Sequence, residues 1–115
     1  MIEILQSINK IPDVEGCLVA ENNGIVVMGD LESSINEENL AAASSSKMNE
    51  IKKSLSEFAA GGIERCTISG TGGSYMFLNI GNAYLIILIR KDANLGYIKI
   101  EAEKHLKDLK KKLKL

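Results

Sequence analysis

The sequence has no tryptophan, one proline, one histidine and two cysteines, and only 4% of it is aromatic. Each scarcity removes a class of function. Few aromatics and a pI near 5.8 leave little of the stacking and electrostatic footprint of a nucleic-acid binder. His105, the single histidine, stands among lysines and reads as a surface or boundary residue. Cys17 and Cys66 fall inside apolar, strand-like runs with no metal-ligand spacing. Buried reduced thiols are expected there, with no metal and no cofactor. No apolar run approaches the ~20 residues needed to cross a bilayer. Met1-Ile2-Glu3-Ile4 has no charged segment ahead of a long apolar stretch, so no signal peptide is expected. The expectation is a cytoplasmic protein with no membrane insertion and no nucleic-acid partner.

What is present fits one domain over residues 1–115. A chain of this size buries about two-thirds of its unfolded surface, enough for a core but not for a deep cleft between subdomains. The net charge of −1 hides an asymmetry. Lys104 to Leu115 holds six lysines and one aspartate, a local +5, so the remainder carries −6. A basic segment can bind nucleic acid or anionic membrane. The plainer expectation is a solvated helix face whose lysines suit the negative end of the helix dipole.

Ile2, Leu5, Ile8 and Ile11 recur at helical spacing until Pro12. Val14 to Ala20 and Ile25 to Met28 read as strands joined by Glu21-Asn22-Asn23-Gly24, with the Asn-Gly signal of a hairpin. Asn36 offers a helix cap and Glu37-Glu38 suit a first turn. A long second helix, 36–60, follows, with a stripe of Leu40, Ser44, Met48, Ile51, Leu55 and Phe58, and Gly61-Gly62 closes it. Its middle, Ala41 to Ser46, is made only of small residues, which permit close backbone approach. Three strands come next: Ile63 to Ser69, Tyr75 to Ile80 and Ala83 to Arg90. Asp92-Ala93-Asn94 then starts a last helix with a stripe of Leu95, Ile98, Ala102, Leu106, Leu109 and Leu113.

Tyr84 to Ile89 is apolar without alternation, so both its faces are covered and the strand is central. Tight turns make the last three strands antiparallel neighbours, and the first hairpin takes the other side of the central strand. Ile63 to Ser69 is then left at an edge with one glutamate, one arginine, no proline and no lysine. Such an edge is weakly defended, and pairing with a second copy would shield it.

The order α-β-β-α-β-β-β-α, the run Ile11-Pro12-Asp13-Val14-Glu15-Gly16-Cys17-Leu18-Val19-Ala20 with Asn23-Gly24, the small-residue helix and Ala93-Asn94-Leu95-Gly96 together resemble the Roadblock, or dynein-light-chain, family of profilin-like fold. That family includes bacterial and archaeal regulators of Ras-like GTPases. The resemblance implies an α+β sandwich, a five-stranded antiparallel sheet with one helix on one face and two on the other. It further implies a homodimer through the third strand and second helix, with the paired helices seating a Ras-like small GTPase. Ala41, Ala42, Ser45, Ile63, Cys66, Thr67 and Ile68 are the candidates for self-association. Ser45, Met48, Asn49, Lys52 and Ser56, taken as the exposed face of the second helix, are the candidates for partner binding.

No catalytic residues are expected. Gly70-Thr71-Gly72-Gly73 lacks a following Lys-Ser or Lys-Thr and leads into a strand, so it reads as a turn and not a phosphate loop. Arg65 and Arg90 read as strand residues and are poor arginine fingers; some relatives stimulate hydrolysis by repositioning the GTPase's own loops. Two other readings stand beside this one. The first is a small-ligand sensor using Tyr75, Asn79 and Tyr84; the second is a dimerising structural subunit of a larger complex.

Overall fold

The computed structural model describes residues 1–58 and 61–113. The elements are α1 (Ile2–Asn9), β1 (Val14–Glu21), β2 (Val26–Asp30), α2 (Glu37–Leu55), β3 (Arg65–Ser69), β4 (Gly73–Asn79), β5 (Ala83–Arg90) and α3 (Leu95–Lys112). The two long helices begin where short polar side chains can close the first turn. Asn36 and Asn94 hold extended backbone, and their side-chain oxygens accept from Asn39 N at 2.9 Å and Tyr97 N at 3.0 Å.

The strands form one antiparallel sheet in the order β2-β1-β5-β4-β3. β5 is buried from Ala83 to Ile89, as a strand covered on both faces must be. On one face Leu5 and Ile8 of α1 and Ile98, Ala102 and Leu109 of α3 pack on Cys17, Val19, Met76, Leu85 and Ile87. On the other, Ala41 and Met48 of α2 pack on Leu18, Phe77, Tyr84 and Ile86. The expected sandwich, one helix against two, is therefore present.

Several boundaries differ from the sequence reading. α1 stops at Asn9, and Ile11 is buried in the turn ahead of Pro12. β2 continues to Asp30, because Gly29 and Asp30 still pair with Leu18 and Cys17. β3 starts at Arg65, not Ile63. α2 ends at Leu55 with Ser56 as its cap, so Gly61-Gly62 is not its terminator. A turn leads on to Phe58, and the expected helical positions Ala59 and Ala60 lie outside the described residues. Gly70 to Gly73 is a turn, as expected. Gly70 N donates to Gly73 O at 2.8 Å, and a Cβ on Gly73 (φ +151°) would lie 2.6 Å from the Ile89 carbonyl oxygen.

Cys17 sits in this core, and its thiol donates to the Leu5 carbonyl at 3.4 Å. Burial, aided by the charge of Asp30, pushes the thiol from 9.0 up to about 12. The folded-state value is the higher one. Stability is therefore intact below pH 9, falls as the unfolded thiol ionises, and stops falling near pH 12. The expected slope is about 1.4 kcal/mol per pH unit, measured as urea-unfolding free energy at successive alkaline pH values and absent in Cys17→Ala.

Candidate functional site

The open border of the sheet is β3. In the β3–β4 ladder, Gly70 N donates to Gly73 O and Asn79 N donates to Glu64 O, at 2.8 and 2.9 Å. Antiparallel pairs alternate between bonded and non-bonded. Even-numbered residues of β3 therefore turn their backbone groups to β4, while Arg65, Thr67 and Ser69 turn theirs outward. These N–H and C=O groups have no strand partner among the described residues. The side chains alternate the other way. Cys66 and Ile68 pair with Phe77 and Tyr75 on the α2 face, while Arg65 reaches Glu103 of α3 at 3.7 Å on the opposite face.

α2 leaves much of its own face bare. It packs mainly over β1 and β2 and reaches β4 at Phe77, so the outer part of the β3–β4 half of that face is not roofed by the protomer. Ile68 and Tyr75 are exposed there. Beside them a groove of about 650 Å³ runs between Ile51 and Leu55 of α2 and Ile63 to Thr67. Phe58, 81% exposed, follows α2 close by in the chain. Exposed apolar residues clustered along an unpaired edge mark an interaction surface.

The candidate residues divide. Ile63, Cys66, Thr67 and Ile68 all lie along this border, Ile63 and Cys66 half-buried and the other two exposed. Ala41 and Ser45 do not join them: they are fully buried and 5% exposed, inside the protomer. Ser45 Oγ donates to the Glu21 carbonyl at 3.1 Å, and a Cβ on Gly24 (φ +90°) would meet Ala42 Cα at 3.3 Å. The small residues of α2 thus let it approach the β1–β2 hairpin of its own chain. Ala42 is exposed but lies beside that hairpin, not beside β3. The exposed face of α2 also needs correcting. Met48, 1% exposed, and Ser45 point into the core, whereas Asn49, Lys52 and Ser56 are exposed. Asn49 Nδ2 donates to the Asn22 carbonyl at 3.4 Å, which places this flank on the hairpin side. Ala43, Ser46, Lys47, Glu50, Lys53 and Ser54 are also exposed. Leu55, Phe58 and Tyr75 were missed, since an apolar side chain reads as core until the packing leaves it outside.

Catalytic arrangements do not assemble from the residues weighed for them. His105 lies on α3, across the sheet from Cys66, and Cys17 is a buried neutral thiol. Arg65 faces α3, away from α2, and Arg90 Nε lies 4.0 Å from Glu15. The polar groups of a ligand sensor do not converge either. Tyr75 is exposed, and Asn79 is engaged by the Ile63 carbonyl and Gly81 N. Tyr84 alone keeps a buried hydroxyl without a partner among the described residues. No group of three or more metal-binding side chains occurs among the described residues. No helix described is long and apolar enough to cross a membrane.

Comparison with known proteins agrees with the fold. An uncharacterised protein of Methanocaldococcus jannaschii, MJ1340, is 25% identical over 93% of this chain and 94% of its own length. The structure of MglB from Myxococcus xanthus superposes with a TM-score of 0.89 at 13% identity, covering 96% of this chain and 85% of that one. A Roadblock/LC7 domain from Streptomyces avermitilis gives 0.84 at 15% identity, over 100% and 95%. The family model described as the Roadblock/LC7 domain matches residues 2–89, every element from α1 through nearly all of β5, and the chain belongs to that family.

Proposed function

We propose that this chain is a non-catalytic, homodimeric cytoplasmic regulator or scaffold that seats a Ras-like small GTPase on its paired second helices. One observation carries the reading: β3 presents outward backbone groups at Arg65, Thr67 and Ser69 beside a bare apolar strip of Ile68, Tyr75 and Leu55. A second β3 in antiparallel register would satisfy those groups and bring a second α2 towards the unroofed half of the face. The outer surface of the paired helices, with Asn49, Lys52, Lys53 and Ser56, would then receive the GTPase. Neither arginine is aimed from α2, so any stimulation of hydrolysis would act by positioning the GTPase's own loops.

The test is capture of purified Ras-like GTPases, loaded with GDP or a GTP analogue, on the immobilised protein. Retention in one nucleotide state is expected. Reversing the charge of Lys52 and Lys53 to glutamate should weaken it roughly tenfold without changing the mass of the particle. No retention in either state, with the dimer present, would leave the third reading, a structural subunit.

A further inference from the structure

The lysines of α3 are not accounted for by that proposal, and the helix dipole accounts for only some of them. Its influence falls off within the last turn. α3 ends at Lys112, so Lys110, Lys111 and Lys112 are covered by it. Lys104 and Lys107 lie more than one turn earlier.

Their position in the helix is informative. Ile98, Ala102 and Leu109 define the buried side of α3. At 100° per residue, the side opposite carries Ile100, Lys104, Lys107 and Lys111, with Tyr97 on one flank and Glu103 on the other, and all six are exposed. Tyr97 is 47% exposed and Ile100 59%. The outward ridge is therefore apolar over its first turn and mainly cationic over the rest, with Glu103 on one flank. The neighbouring acids are largely engaged on its flanks: Glu101 binds Lys104 at 2.6 Å, and Glu103 lies near Lys99 and Arg65. Lys107 and Lys111 have no carboxylate within 4.0 Å among the described residues. Asp108 is the one acid left beside the ridge.

We infer that this ridge of α3 is a peripheral docking surface for an anionic lipid bilayer. Charge complementarity is the first argument. Residues 104–115 carry +5 and the rest of the chain −6, so the chain's excess of positive charge is concentrated in this segment. The acidic start of α2, Glu37 and Glu38, lies on the other side of the sheet and would be held away. The second argument is Tyr97 and Ile100. An aromatic with a polar tip and a bare isoleucine, on the same line as lysines, match a headgroup layer above acyl chains. Nucleic acid would reward the lysines but give Ile100 nothing, and the ridge has no arginine to grip phosphate in two places. The contact is shallow and reversible, which no spanning helix is needed to support.

Sedimentation of the full chain with vesicles tests this inference. Vesicles of one part phosphatidylserine to two parts phosphatidylcholine should carry the protein down at low salt; pure phosphatidylcholine should not. Each lysine near an anionic surface strengthens binding roughly fivefold. Lys107→Gln with Lys111→Gln should therefore weaken binding by about 25-fold, with circular dichroism unchanged because both sites are exposed. Ile100→Ser should weaken vesicle binding and leave any binding to duplex DNA unaltered. Failure to sediment with anionic vesicles, indifference to the double lysine variant, or indifference to Ile100→Ser would each overturn the assignment. So would a preference for DNA over vesicles at equal ionic strength. Dimerisation and GTPase capture are read separately, so failure here leaves the proposed function standing.

Discussion

Thr67→Pro is expected to convert a two-subunit particle into a single one while leaving the fold intact. Proline removes an N–H, and at Thr67 that N–H faces outward, so the β3–β4 ladder loses nothing. In a two-fold pairing of β3 with its copy, the substitution deletes two symmetry-related bonds and orphans two partner carbonyls. At about 1–3 kcal/mol for each orphaned group, the dissociation constant should rise roughly a hundredfold or more. Light scattering across a concentration series reads the mass. Ile68→Pro is the informative contrast, because the Ile68 N–H faces β4 and its loss should lower the melting temperature as well. If Thr67→Pro and the parent chain have the same mass at every concentration, the edge is not the interface.

Ile86→Ala should destabilise the protein by about 2–5 kcal/mol, a large share of the roughly 5–15 kcal/mol that domains of this kind possess. Ile86 is 1% exposed on the central strand, beneath α2 and between Leu18 and Phe77 of the neighbouring strands. Truncation leaves a void that strands bonded on both sides cannot close. The loss should appear as a lower urea midpoint. Because α2 rests on this residue, weaker GTPase capture should accompany it at temperatures where the variant remains folded.

The parts of the fold legible in the sequence were those with a single physical solution. An unbroken apolar run from Tyr84 to Ile89 has to lie in the middle of the sheet, and Asn36 ahead of acidic residues and an amphipathic stretch has to be a cap. The weakly charged edge at β3 was legible for the same reason. α2 was harder. Its small residues present nearly equal polarity all round, so periodicity does not say which side meets the sheet. The deciding contacts, Ser45 to Glu21 and Ala42 against Gly24, join residues more than fifteen positions apart and leave no local trace. Leu55 is the last residue of α2 and Phe58 continues its apolar period past the helix end, so spacing assigned both to a core that is not beneath them.

Antiparallel pairing of β3 with its copy, as proposed, would also limit growth. A strand that pairs antiparallel with its own copy is related to it by a two-fold axis, so each subunit gives and receives through the same surface. That surface would be consumed by the first encounter. Only the two distant β2 borders would remain, and there Asn9 Nδ2 grips the backbone and carboxylate of Asp30 at 2.9 Å while β1 carries an irregularity at Val19/Ala20. Crowding more copies together would therefore fill pairs without lengthening them into fibres.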